Sequence, residues 1–168
     1  MHRTEILAIA TVIGILGVIS GFLVLNARSQ LRDVTRIAHM REMQIGLDLF
    51  YMEKGTYPEA TTALALGQVA TACLGADGFS SPCAIDAEPY IEFVPETPAQ
   101  GLDKLSGCGE NENAYCYFSD TETFRIQFEL ESSNAQLGLQ KGLNCLTENG
   151  FAAGECSAYA IADEAVAE

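Results

Sequence analysis

ILAIATVIGILGVISGFLVL (residues 6–25) runs into SQLRDVTRIAHMREMQIGLDLFYMEK (residues 29–54) with only Asn26-Ala27-Arg28 between them. These two stretches decide the architecture. The first is an uncharged apolar run, long enough to cross a hydrocarbon core of about 30 Å as a helix. A cleaved signal peptide has a shorter apolar core followed by a small-residue cleavage site, so a retained anchor is expected. The second stretch has no proline and a single glycine, Gly46. On a helix, Leu31, Val34, Ala38, Ile45, Leu49 and Met52 share one face, while Met40, Met43, Leu47 and Phe50 share another, with charges between them. Two stripes would leave one for the chain's own domain and one for a different partner. A single broad core stripe accounts for the same residues, and the segment alone does not choose. Gly55-Thr56-Tyr57-Pro58 predicts the helix end. Joined, the two stretches make a helix of about 80 Å at ~1.5 Å per residue, too long for the core of so small a domain, so roughly half of it must project.

The remainder differs in charge. Residues 1–53 hold five acids and five bases, whereas residues 54–168 hold 18 acids against four bases and carry the whole formal charge of −14. Three segments follow: 1–28, a hydrophobic helix serving as membrane anchor; 29–54, its amphipathic continuation; and 55–168, an acidic head domain. The acidity repels phosphate backbones, so direct nucleic-acid binding is not expected, and it suits solubility of an exposed domain. All six cysteines lie in the head. Their even number points to disulfides and an oxidising compartment. Counting positive charges around the span would place the head inside the cell, but the cysteines outweigh that count and place it outside the cytoplasm. Six cysteines admit many connectivities. The expected pairs are the short-range ones, Cys73–Cys83, Cys108–Cys116 and Cys145–Cys156, each closing a small loop.

Within the head, Thr123 to Glu131 alternates apolar and polar residues, the pattern of a half-buried strand. Ala114 to Phe118 reads as a second strand, with Asp120-Thr121-Glu122 as the hairpin turn, and Ser157 to Ala162 as a third. A short helical stretch is expected around Thr62 to Ala72, then a connecting loop. Tyr90 to Pro95 reads as a short helical or extended piece, and Asp163 to Glu168 as a frayed acidic tail. The expected fold is α+β: a long N-terminal helix packed on a small antiparallel sheet, with disulfide-stapled loops.

Little points to catalysis, and the chain reads as not an enzyme. No histidine follows His39, so the head cannot build a Ser-His-Asp or Cys-His site. Phosphate-binding glycine loops and His-rich metal patterns are missing, and no cofactor is expected. Acidic loops at Asp77–Asp86 and Glu110–Asp120 offer oxygen ligands of the calcium type without the full EF-hand pattern. Glu5 stands out at the edge of the apolar span, where alone it reads as an interfacial carboxylate reaching for water.

Its context adds a further reading. Glu5 at the fifth position, the Ile13-Gly14-Ile15-Leu16 run, the Leu49-Phe50-Tyr51-Met52-Glu53-Lys54-Gly55-Thr56-Tyr57-Pro58 ending, and Tyr90-Ile91 with Pro95 and Pro98 resemble the type IV pilins and type II secretion major pseudopilins. About the first 60 residues carry the likeness, and its register makes Met1 the expected mature terminus. The resemblance implies a subunit that waits in the inner membrane, is processed by a prepilin peptidase and passes through an assembly platform into a helical filament of identical subunits. In that family the apolar helices form the filament core, and the fifth-position glutamate neutralises the terminal amine of a neighbour. Here those groups would be Glu5 and Met1. Gly14 and Gly17, with Gly21, would permit close helix contacts. Three readings result: an extracellular type IV pilus subunit, a pseudopilin of a type II secretion system, and a membrane-anchored periplasmic binding module that does not polymerise.

Overall fold

A computed structural model of the protein describes residues 2–83 and 88–156. Helix α1 (His2–Lys54) is unbroken. It ends where the sequence predicts: Gly55 takes φ +74°, and its N–H donates to Tyr51 O at 2.8 Å. A left-handed residue is cheap only for glycine, and it turns the chain off the helix axis. Tyr57 then anchors the turn. Its ring lies 4.6 Å from Tyr51 and 4.8 Å from Phe124, and its N–H donates to Thr121 O. The Tyr117 hydroxyl donates to Pro58 O at 2.7 Å.

The head is built on a five-stranded antiparallel sheet. Its strands are β1 (Ala60–Ala65), β6 (Cys116–Ser119), β7 (Phe124–Leu130), β8 (Gly142–Thr147) and β9 (Gly150–Ala153), and they lie side by side in that order. Two small hairpins accompany it: β2 (Cys73–Gly75) with β3 (Gly78–Ser80), and β4 (Gly107–Cys108) with β5 (Asn111–Glu112). Strand β7 sits in the middle. Phe124, Ile126, Phe128 and Leu130 are buried on the face toward α1, where they form one core with Ile37, Met40, Met43, Leu47 and Phe50. The turn from β6 to β7 is held by Asp120, whose Oδ1 accepts from the N–H groups of Thr123 (2.7 Å) and Glu122 (3.1 Å). These bonds stabilise the carboxylate and hold its pKa below the usual range. Gly46 is the one glycine of the amphipathic half because Ile91 packs against the helix there, and a Cβ would collide with the Ile91 side chain. Ile91 itself is extended, bridged to Leu74.

One expectation needs correction. The stretch from Thr62 to Ala72 is not helical: it holds most of strand β1, a turn, and a single 3₁₀ turn at Val69–Thr71. Alanine-rich composition favours helix locally, but β1 completes the ladder of β6, pairing Leu64 with Tyr117 and Ala65 with Cys116, and tertiary pairing overrides propensity. The strands after β7 are β8 and β9, which the sequence pattern did not reveal; the strand expected at Ser157–Ala162 and the tail at Asp163–Glu168 lie outside the described residues.

The sulfurs join Cys73 to Cys83, Cys108 to Cys116 and Cys145 to Cys156, with Cα separations of 5.6, 5.3 and 5.1 Å. One fastens the β2–β3 hairpin, one ties the β4–β5 hairpin to β6, and one secures the chain after β9 back to β8.

Candidate assembly surface

The helix presents its two stripes to different surroundings. Met40, Met43, Leu47 and Phe50, joined by Ile37, are buried against the sheet. Leu31, Val34, Ala38, Ile45, Leu49 and Met52 all face outward, with Met52 81% exposed. The single-broad-stripe alternative therefore fails among the described residues, none of which covers the second stripe. A shallow cavity of about 390 Å³, lined by Ala38, Arg41, Ile45, Gly46, Tyr90 and Ile91, adjoins it. Toward the N-terminus the same helix exposes Val12, Ile13, Ile15, Leu16, Val18, Ile19, Leu23 and Val24. By length and composition, α1 holds one segment apolar enough to cross a membrane, and none of that segment is buried within the chain. Exposed apolar surface on this scale marks a contact with lipid or protein.

Of the residues singled out for assembly, Glu5, Gly14 and Gly17 fall on this N-terminal part of α1. Gly14 and Gly17 lie in the exposed span, and a Cβ at either would meet none of the described residues. Glu5 stands within the first turns of α1. Met1 lies outside the described residues.

A buried ion network fixes how the stem leaves the head. Arg36 is fully buried on α1. Its Nη1 lies 2.8 Å from both Asp33 Oδ1 and Glu131 Oε1, at the end of β7. Its other guanidinium nitrogens donate to the carbonyls of Pro98 and Gln100. Arg32 adds a two-pronged contact to Glu131, at 2.7 and 2.5 Å. Asp33 in turn accepts from the backbone N–H groups of Glu131 and Ser132, both at 2.9 Å. Burying a guanidinium costs several kcal/mol unless its donors are met, and here four oxygens meet them. Burial opposes ionisation of Glu131, but the hydrogen bonds from Arg32 and Arg36 outweigh it and hold its carboxyl below the usual range. Next door, the carboxylate of Glu129 is buried and accepts from the N–H groups of Asp103 (2.6 Å) and Leu105 (2.8 Å). This pins the loop ahead of β4. Sequence reasoning passed over this network. Its only local sign is the Asp33–Arg36 spacing beside the buried stripe; Glu131 is remote in sequence.

Among the described residues no cluster of three or more His, Cys, Asp or Glu side chains is placed to hold a metal ion. The calcium-type loops show no such convergence where they are described. Compared with protein-family models, curated proteins and solved structures, the chain gives no match.

Proposed function

We propose that the protein is a structural subunit of an extracellular type IV pilus-like helical filament and not an enzyme. The observation that carries this reading is the division of α1 into a buried stripe and an outward apolar stripe that continues into the projecting span. A helix committed on one side to its own head, and apolar on the other for most of its length, suits a polymer whose core is made of such helices. Before assembly the span rests in the inner membrane; afterwards lipid is exchanged for neighbouring helices. Gly14 and Gly17 let backbones approach, and Glu5 meets the terminal amine of Met1 on a neighbour. The acidic, disulfide-braced head forms the outer surface.

The pseudopilin of a type II secretion system is the second reading, favoured by the Gly55-x-Tyr57-Pro58 helix end. That motif also has a structural task here, anchoring the helix to β6 and β7, so it serves either filament. A periplasmic module that never polymerises is the alternative from another class. Electron microscopy of sheared surface filaments, with mass spectrometry of the subunit, separates these readings. Long surface fibres made of this chain support the pilus. Chains found only in the membrane fraction would count against both filament readings.

A further inference from the structure

The central sheet has a second face, turned away from α1. Phe124, Ile126 and Phe128 point into the core beneath the helix, so Arg125 and Gln127, which alternate with them on β7, lie on the opposite side. The register sets Phe118 of β6 beside Arg125, and Cys145 of β8 beside Gln127. A groove of about 440 Å³ runs over this face, lined by Ala60, Phe118, Arg125, Gln127 and Cys156 among others. Ala60 belongs to the edge strand β1, whereas Cys156 is bonded to β8, so the groove spans the strands between them.

The groove is apolar at Ala60 and Phe118 and basic at Arg125. Arg125 is half-buried and has no ion-pair partner among the described residues. The groove's own carboxylate, Asp120, is taken up by the N–H groups of Glu122 and Thr123 and by the Thr123 hydroxyl. An occupant that suits these walls is apolar with an acidic portion.

The chain supplies such a segment at the groove itself. Residues 157–168, which lie outside the described residues, read SAYAIADEAVAE and hold three acids and no base. They follow Cys156, a lining residue that the bond to Cys145 fastens to this face. Read as a strand, Ser157 to Ala162 sets Tyr159 and Ile161 on one side and alanines on the other. At ~3.3 Å per residue and ~4.8 Å per strand, Tyr159 reaches β6 from β8 and Ile161 reaches β1. A second copy is the weaker candidate: it brings the same formal charge of −14 and no tether, whereas a tethered segment acts at high effective concentration. We propose that residues 157–168 occupy this groove, with Tyr159 and Ile161 packed over Phe118 and Ala60 and the acidic end drawn to Arg125. The proposal is independent of whether the chain forms filaments.

The test is photo-cross-linking of the full chain in dilute detergent micelles, with p-benzoylphenylalanine in place of Phe118 and mass spectrometry of the products. Thr61, exposed on the groove's margin, carries the same probe in a second variant should the first fail to fold. Both probes should cross-link within one chain to residues 157–168. The double variant Tyr159→Ser, Ile161→Ser keeps the tether and removes the apolar anchors, so its yield should fall at least about fivefold. Arg125→Glu reverses the charge of the groove, and its yield should fall at least about twofold. Cross-links to a second chain, cross-links to neither, or a wild-type yield from the double variant or from Arg125→Glu would each overturn the proposal.

Discussion

Arg36 and Glu131 meet at 2.8 Å across 95 positions of sequence, with the arginine fully buried. One belongs to the stem and the other to the end of the sheet's central strand, so this pair sets the angle at which the long helix leaves the head. Arg36→Ala takes the buried cation from Asp33 and leaves Glu131 paired with Arg32 alone. It should cost about 3–5 kcal/mol, the usual loss when one partner of a buried pair is removed. Denaturant unfolding of the chain from residue 29 onward checks this; a loss below about 1 kcal/mol would mean the network is solvated and idle.

The same network gives a pH dependence. The carboxyl of Glu131 is held below its ordinary value in the folded state. Its contribution is therefore present above the unfolded pKa of 4.5 and is lost as pH falls through the lower folded value. Stability measured from pH 6 down to about pH 3 should drop, and Glu131→Gln should flatten part of that slope while lowering stability at neutral pH. A slope identical to wild type would remove Glu131 from the account.

The long helix, its end at Gly55, the β6–β7 hairpin and the membrane-length span were legible because each has a local cause: apolar periodicity, a glycine-proline stop, or period-two alternation. Strand β1 was not, since Ala60–Ala65 gains its conformation from β6. Strand β8 was hidden by its composition. It buries Asn144, whose side chain is satisfied by Gln140 and by Gly142 O, so a polar residue occupies a core position without breaking the strand. Strand β9 is glycine and alanine around one Phe151. For the assembly surface, the sequence offered both stripes but could not say that the head covers only one. That depends on where the sheet lands.

The two stripes should respond differently to substitution. Met43→Ala removes a buried side chain and should cost about 2–5 kcal/mol. Ile45→Lys, on the exposed stripe, should change stability of the isolated chain by less than about 0.5 kcal/mol. In cells the order should reverse in kind: Ile45→Lys leaves the subunit folded yet blocks its incorporation into filaments. Large destabilisation by Ile45→Lys would show that this stripe serves the fold.

Thiol labelling under denaturing, non-reducing conditions should find no reactive cysteine, since Cys73, Cys108 and Cys145 are each bonded. Replacing the Cys145–Cys156 pair by serines should cost about 2–4 kcal/mol. Labelling of several cysteines would contradict the stapled head.

The most direct test of the filament claim is Glu5→Gln. The substitution keeps the shape of the side chain and removes its charge, so the proposed amine partner at Met1 of a neighbour is left unpaired in the apolar core. Such a loss is worth roughly 3–5 kcal/mol per contact. Membrane levels should stay at wild type, because the apolar run is untouched, while the yield of sheared filaments counted by electron microscopy should fall at least about tenfold. Wild-type filament yield from Glu5→Gln would contradict the account and return Glu5 to the role of an interfacial carboxylate.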